Sequence, residues 1–258
     1  MSEGIHPTAL LDPDARLGPG VELGPYAIVG PGVSIGAGCR IGPHATLERN
    51  VRLDEGVRVG QGSIVGGDPQ DLKYHGEESW VEVGAGTVIR EYCTVNRGTA
   101  QSGVTRIGAG AYLMSYVHVA HDCRIGDGVI LANCVQLAGH VTVHDRANLS
   151  GLVAVHQFVT IGTHAFIGGW SRVTQDIPPY VTAVGNPVEL FGLNTVGLQR
   201  AGFPEATIAT LKRLYRFFFN SDLSFAQAMD RARMDLPALP EVERFLEFLA
   251  TSERGVPA

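Results

Sequence analysis

The sequence predicts a mainly β protein, built as a parallel β-helix followed by a small α-helical domain. One observation is an aliphatic residue that recurs every six positions from residue 5 to residue 173. The other is a change to helical apolar spacing near the C-terminus. We therefore predict a β-helix over residues 1–188 and a helical domain over residues 189–258.

The six-residue period is almost unbroken, and it is interrupted only at Asp71, Glu77 and Gln101. A small residue often stands two positions before the aliphatic one, so both face the same side of a short strand. Glycine often follows, as at Gly30 and Gly126, and we attribute it to the positive φ of a corner. The aliphatic positions are Ile5, Leu11, Leu17, Leu23, Val29, Ile35, Ile41, Leu47, Leu53, Val59, Val65, Val83, Ile89, Val95, Ile107, Leu113, Val119, Ile125, Leu131, Leu137, Val143, Leu149, Val155, Ile161, Ile167 and Val173.

Two stretches interrupt the repeat, a polar one over about residues 66–81 and one rich in Gly, Thr and Ser over residues 98–106. Both resume in phase, so we expect each to loop out of a continuous prism. Loops on a rigid scaffold are where binding residues collect.

The C-terminal part has a helical period. Residues 204–219 begin with a proline suited to a first helical turn, and Ser224 is a candidate N-cap for a second helix. A third helix is lined by Val242, Phe245, Leu246 and Leu249. The apolar positions of the first helix are Ile208, Leu211, Leu214, Tyr215 and Phe218.

The composition excludes several classes of protein. A formal net charge of −6 argues against general affinity for nucleic acid or anionic membranes. Residues 1–13 show neither the basic nor the apolar segment of a secretion signal, so we do not expect one there. No apolar run approaches the roughly 18–20 residues that span a bilayer. Three of the four cysteines occupy small inward positions of the repeat, which indicates reduced thiols. We expect a cytoplasmic protein without membrane insertion.

The repeat resembles that of the left-handed β-helix family, in which three hexapeptides form one triangular coil. The resemblance covers residues 5 to about 180, before Pro178 and Pro179 end the prism, and it implies coils of eighteen residues. It also implies a left-handed path, against the usual crossover preference. Residues eighteen positions apart should then stack about 4.8 Å apart.

This register gathers histidines on one edge. The expected stacks are His121 over Gly139 over Gln157, Asp122 over His140 over Phe158, and Ala120 over Ala138 over His156. Histidine titrates near neutral pH and can take a proton from a hydroxyl group. An exposed backbone N–H next to the histidine can hold an oxyanion, and the missing side chain of Gly139 leaves room for a thioester. This chemistry needs no metal and no other cofactor.

Two other interpretations remain open. The gamma-class carbonic anhydrases are also trimeric left-handed β-helices, and they bind zinc through three histidines; His118, His121, His140 and His156 are the corresponding candidates. That interpretation leaves the helical tail unexplained. A repeat scaffold without catalytic activity would leave the histidine edge unexplained.

Several segments resemble the UDP-N-acetylglucosamine 3-O-acyltransferase family more closely. They extend over nearly the whole chain and into the helical tail. The segments are Gln70-Asp71-Leu72-Lys73-Tyr74, Arg97-Gly98-Thr99, His118-Val119-Ala120-His121-Asp122-Cys123, Leu137-Ala138-Gly139-His140-Val141, Ala154-Val155-His156-Gln157-Phe158, Gln175-Asp176-Ile177-Pro178-Pro179-Tyr180-Val181, Gly185-Asn186-Pro187, Asn194, Gly197-Leu198, Arg200 and Gly202-Phe203.

The resemblance implies the first acyl transfer of lipid A biosynthesis, from (3R)-3-hydroxyacyl acyl carrier protein to UDP-N-acetylglucosamine, in a homotrimer with sites between subunits. It gives His121 the role of general base, Gly139 that of oxyanion donor, and Asp122 that of orienting His121. Gly169, with Trp170 beside it, would set acyl-chain length. The substrate-binding candidates are Asp71, Lys73, His118, His140, His156, Gln157, Asn194 and Arg200.

The chain departs from the family pattern at three positions. Asn96 stands where members often carry His, Val196 where they often carry Glu, and Ala201 where a second Arg is common. These changes leave open an N-acyltransferase that acts on a 3-amino sugar. The N-acyltransferase of the later lipid A step usually has an additional N-terminal domain, whereas the repeats here begin at Ile5.

Overall fold

The structure, a computed structural model, describes residues 4–257; residues 1–3 and 258, at the ends of the two predicted domains, lie outside it. It is a left-handed parallel β-helix followed by helices. The strands are β1 (Leu10–Leu11), β2 (Arg16–Leu17), β3 (Glu22–Leu23), β4 (Ile28–Val29), β5 (Ser34–Ile35), β6 (Arg40–Ile41), β7 (Thr46–Leu47), β8 (Val51–Leu53), β9 (Arg58–Val59), β10 (Ile64–Gly67), β11 (Trp80–Val83), β12 (Val88–Ile89), β13 (Thr94–Asn96), β14 (Val104–Ile107), β15 (Tyr112–Leu113), β16 (His118–Val119), β17 (Arg124–Ile125), β18 (Ile130–Leu131), β19 (Gln136–Leu137), β20 (Thr142–Val143), β21 (Asn148–Leu149), β22 (Ala154–Val155), β23 (Thr160–Ile161), β24 (Phe166–Ile167), β25 (Arg172–Val173), β26 (Val181–Val184) and β27 (Glu189–Leu193).

The strands form three sheets, one for each face of the prism. Sheet A has ten strands (β3, β6, β9, β12, β15, β18, β21, β24, β26, β27), sheet B has nine (β1, β4, β7, β10, β13, β16, β19, β22, β25) and sheet C has eight (β2, β5, β8, β11, β14, β17, β20, β23). From β1 to β22, each strand pairs in parallel with the strand one coil further along the chain. His118 pairs with Gln136 and Val119 with Leu137, which confirms the eighteen-residue stacking.

The predicted aliphatic and small positions face the inside of the prism. From Leu23 onward they are buried, and Leu113, Leu131 and Leu149 have no exposed surface. Cys39, Cys93 and Cys123 are also buried and carry free thiols. The period of six therefore places one aliphatic side chain per strand in a continuous core.

The role assigned to the glycines that follow the aliphatic residues was wrong. Gly30 and Gly126 do not have positive φ; the left-handed conformation falls two positions later, as at Gly32 and Gly128. A Cβ on Gly30 would lie 1.8 Å from the carbonyl oxygen of Glu48 in the next coil. These glycines are required because successive coils approach too closely for a side chain.

Both interruptions of the repeat are loops, over somewhat shorter ranges than residues 66–81 and 98–106. Residues 68–79 separate β10 from β11, and residues 97–103 separate β13 from β14. The register is kept across both loops, with Val65 paired to Val95 and Val95 paired to Val119. The prism is therefore continuous beneath them.

The prism does not end at Pro178 and Pro179. Strand β26 continues sheet A, and β27 pairs with it in antiparallel orientation, so residues 189–193 are a strand and not part of the predicted helical domain. This strand gives the exposed edge of β26 a hydrogen-bonding partner.

The helices are α1 (Thr195–Arg200), α2 (Glu205–Phe219), α3 (Phe225–Asp235) and α4 (Pro240–Thr251). Helix α2 starts after Pro204, and Ser224 caps α3 in a reciprocal capping box with Gln227. Helix α4 buries the four residues predicted to line it. Helix α1 was not predicted.

Among the described residues, no helix has the length and apolar character needed to span a membrane.

Because the core of the prism is fully buried, a cavity in it should lower the stability of the protein. Leu131→Ala should lower the free energy of unfolding by about 2–5 kcal/mol, because the prism is too rigid to close the space. Leu72→Ala is the matched control, since Leu72 is fully exposed at a loop tip. Urea denaturation would measure both, and equal stability of the two variants would contradict this description of the core.

Candidate active site

His121 and Asp122 form the edge between sheets B and C, where the chain leaves β16 and enters β17. The predicted stacks form on this edge. The N–H of His140 donates to the carbonyl of His121 at 3.0 Å, and the N–H of Phe158 donates to that of Gly139 at 3.2 Å. Asp122, His140 and Phe158 all have φ near +60°, so their side chains leave successive coils in the same direction.

The side chains of His121 and Asp122 are hydrogen-bonded. The Nδ1 of His121 lies 2.7 Å from Oδ2 of Asp122, and the Nε2 of His140 lies 3.6 Å from the same oxygen. The rings of His121 and His140 are 5.1 Å apart and nearly perpendicular. The His140 ring stacks on Phe158 at 4.4 Å, which fixes its plane.

Gly139 lies directly against the His121 ring. A Cβ at this position would be 2.5 Å from Cε1 and 2.7 Å from Nε2 of His121. The absence of a side chain is therefore a condition for the position of the imidazole. Within the described chain, the N–H of Gly139 donates to no protein acceptor.

Asp122 is buried and accepts several hydrogen bonds. Its Oδ1 accepts from the N–H of Thr99 at 2.9 Å and from the hydroxyl of Ser102, and its Oδ2 accepts from the Thr99 hydroxyl at 2.8 Å. Burial alone would raise the pKa of Asp122. The bonds from His121, Ser102 and Thr99 outweigh burial and hold that pKa well below its usual range.

The first loop reaches this edge. Burial lowers the pKa of His140, and the negative charges of Asp122 and, less, of Asp71 oppose that lowering. The buried guanidinium of Arg97 holds the loop by donating to the carbonyl of Gly66, to Asp68 and to the hydroxyl of Tyr74. Lys73 is exposed on the same loop.

His118, His156 and Gln157 lie on or beside the same edge, farther from the His121–Asp122 pair. The Nδ1 of His118 is 2.7 Å from the hydroxyl of Thr94, and burial followed by the charge of His121 lowers its pKa. His156 and Gln157 are exposed two coils further along. The Nδ1 of His156 lies 3.1 Å from the carbonyl oxygen of Gln157.

Asn194 and Arg200 lie on a different edge of the same chain. Asn194 caps α1 through a bond from the N–H of Gly197, and its amide donates to the carbonyl of His164 on the edge between sheets C and A. Arg200 is exposed at the end of α1. One chain therefore does not bring these two residues to His121.

Gly169 and Trp170 lie on the third edge, between sheets A and B. Trp170 is 77 % exposed. The predicted site residues are thus distributed over all three edges of one prism, and only the edge of His121 gathers several of them.

The only metal-capable cluster within residues 4–257 consists of His121, Asp122 and His140, whose ligand atoms all lie within 4.8 Å of one another. The carboxylate of Asp122 already accepts bonds from Thr99, Ser102 and His121. The arrangement is that of a hydrogen-bonded acid–histidine pair, and it does not match a site of three histidines.

Thr99 and Ser102 were not predicted as functional residues. The available indication was the Thr- and Ser-rich loop, which leaves and rejoins the repeat in phase at the histidine edge. The contact with Asp122 depends on the path of the loop, which the repeat does not determine.

Two family models match the sequence. The one described as UDP N-acetylglucosamine O-acyltransferase, domain 2, matches residues 176–257. The one described as bacterial transferase hexapeptide (six repeats) matches residues 14–49 and 105–139.

An acyl-[acyl-carrier-protein]–UDP-N-acetylglucosamine O-acyltransferase from Sulfurihydrogenibium sp. is 56% identical over 194 residues, which cover 75% of this chain and 72% of the relative. The chain belongs to the UDP-N-acetylglucosamine O-acyltransferase family. A member from Myxococcus xanthus is 49% identical, with 74% of this chain and 75% of the relative covered.

Solved structures of the family superpose over nearly the whole chain. The UDP-N-acetylglucosamine acyltransferase of Bacteroides fragilis has a TM-score of 0.96 at 37% identity, covering 98% of this chain and 99% of that one. The LpxA of Acinetobacter baumannii has a TM-score of 0.96 at 41% identity, covering 99% and 100%. The fold of this acyltransferase is therefore that of the family, including its helical end.

The contact between Gly139 and His121 predicts the effect of a single methyl group. Gly139→Ala should reduce acyl transfer at least tenfold, because the Cβ would displace the imidazole. Gly151→Ala is the matched control at the equivalent position of another edge, where the nearest atom would be an ordinary 3.4 Å away. Steady-state rates and thermal unfolding would be measured for both. A Gly139→Ala variant with normal turnover would contradict the proposed constraint on His121.

Proposed function

We propose that this acyltransferase moves a (3R)-3-hydroxyacyl chain from acyl carrier protein to the 3-hydroxyl of UDP-N-acetylglucosamine, the first acyl transfer of lipid A biosynthesis, in the cytoplasm. The observation that carries the proposal is the His121–Asp122 pair with Gly139 against it, in a chain of this family. A hydroxyl acceptor needs a base, and the edge supplies one.

In the proposed mechanism His121 is the general base. Asp122 accepts from Nδ1 of the imidazole, which leaves Nε2 free to take the proton of the sugar hydroxyl. The hydroxyl oxygen attacks the thioester carbonyl, and the C–S bond breaks when the tetrahedral intermediate collapses. The proton held on His121 then passes to the departing thiolate, and Asp122 stabilises the transient imidazolium.

The N–H of Gly139 is the proposed oxyanion donor. It lies beside the imidazole and makes no other bond to the described protein, so it is available to a ligand. A preorganised donor of this kind stabilises the charge that develops on the carbonyl oxygen. No metal and no other cofactor enters any step.

The remaining candidates are assigned to substrate binding. His118, His140, His156 and Gln157 would line the path of the UDP-sugar along the edge, with Asp71 and Lys73 above it on the first loop.

A homotrimer is supported by the distribution of residues over the three edges. Asn194 and Arg200 lie on one edge and Gly169 on another, so a neighbouring subunit is needed to bring them to His121. Cyclic assembly places different edges of adjacent subunits against each other.

Replacement of the base gives the most direct test. His121→Ala should lower turnover of UDP-N-acetylglucosamine with hydroxyacyl carrier protein by about 10²–10⁴-fold. His6→Ala, at an exposed histidine of the first coil, should retain the wild-type rate. Near-normal turnover by His121→Ala would refute the assigned base. Wild-type enzyme that acylates only a 3-amino analogue would refute the assigned acceptor.

Acyl-chain length gives a second test. Because Gly169 has no side chain, we expect a long hydroxyacyl chain to extend past it, and the enzyme should prefer long donors. Initial rates with carrier-protein donors of graded length would measure the preference. A preference for short donors alone would contradict this role of Gly169.

A further inference from the structure

The second extruded loop contacts the His121 edge at Asp122. Three groups of the loop donate to it: the N–H and the hydroxyl of Thr99, and the hydroxyl of Ser102. At the base of the loop, the Thr105 hydroxyl accepts from the backbone N–H of Asp122 at 2.8 Å. Both the carboxylate and the backbone of Asp122 are thus held by residues 99–105.

These contacts fill the hydrogen-bonding capacity of the carboxylate. Two carboxylate oxygens offer about four acceptor positions. Thr99 occupies two of them, Ser102 one, and Nδ1 of His121 the fourth. Asp122 therefore cannot rotate without losing a bond, and its Oδ2 stays directed at His121.

The same bonds determine the charge of the carboxylate. Asp122 is buried, which by itself favours the neutral acid, but the donors keep its pKa below the usual range. An ionised carboxylate can only accept, so Nδ1 of His121 carries a proton, and in the neutral imidazole Nε2 is then the nitrogen with the free lone pair.

We propose that Thr99, assisted by Ser102, is a positioning residue that fixes the carboxylate of Asp122 against Nδ1 of His121, so that His121 presents Nε2 as the base. The inference rests on the function proposed above. It assigns a role to the Thr- and Ser-rich interruption of the repeat, whose residues act through Asp122 and need not touch the substrate.

Thr99→Val tests the inference with almost no change of shape. It removes one hydroxyl, which donates to Asp122 Oδ2 and accepts from the N–H of Gln101 at 3.2 Å. Because the lost bond to Asp122 is a bond to a charged group, kcat should fall about 10–100-fold. The KM for UDP-N-acetylglucosamine should stay within about twofold of the wild-type value, because the substitution leaves the contacts that bind the substrate unchanged. Thr99→Ser keeps the hydroxyl and should recover most of the rate.

Thr87→Val is the matched control. The Thr87 hydroxyl also donates to one acceptor, the carbonyl of Gly108 at 2.7 Å, and accepts from one N–H, that of Ala111 at 3.2 Å, away from the histidine edge. This variant should lower the melting temperature at least as much as Thr99→Val and keep the wild-type kcat.

A double-mutant cycle with Asp122→Asn separates positioning from general stability. If Thr99 acts through the carboxylate, Thr99→Val should change kcat much less in the Asp122→Asn background than in wild type. An equal fold-loss in both backgrounds, or a Thr99→Val enzyme with normal kcat, would overturn the inference. Wild-type protein without turnover would instead overturn the proposed function, so the two failures are distinguishable.

Discussion

The hydrogen bonds between successive coils are the constraint on which the rest of the structure depends. Each coil donates to and accepts from the next at fixed positions, so residues eighteen apart are held in line, as His118 and Gln136 are. Parallel pairing satisfies the backbone, and one aliphatic side chain per strand fills the interior. A shift of one residue would turn the core side chains outward. The register is therefore strongly determined along the whole prism.

The rigid register gives the histidine edge its precision. His121, Gly139 and Asp122 are placed by three backbone positions that cannot move independently. The imidazole of His121 lies so close to Gly139 that a Cβ there would be 2.5 Å from the ring. The ring of His140 stacks on that of Phe158. A base placed on a regular scaffold loses little energy to reorganisation during the reaction, since its surroundings are already in position.

The two extruded loops add polar groups to the His121 edge. The coil interior holds small and aliphatic side chains with a few buried hydroxyl groups, such as that of Thr87, whereas the donors to the Asp122 carboxylate are the second loop and His121. Thr99 and Ser102 bring hydroxyl groups to Asp122, and Arg97 ties the first loop to the same edge. Because both loops return in phase, these additions leave the core unchanged.

The sequence by itself determined the β-helix, its register, the stacking of His121 with Gly139 and of Asp122 with His140, and the helices α2 to α4. Periodicity predicts the short strands with one buried aliphatic position each and the later helices, and the resemblance to the left-handed β-helix family adds the eighteen-residue coil that sets the stacking. The tertiary structure decided what the pattern leaves free. The glycines after the aliphatic residues serve close packing of coils, β27 extends sheet A, and the loop of residues 97–103 folds back onto Asp122. These features depend on contacts between segments without a common period, which only the folded chain brings together.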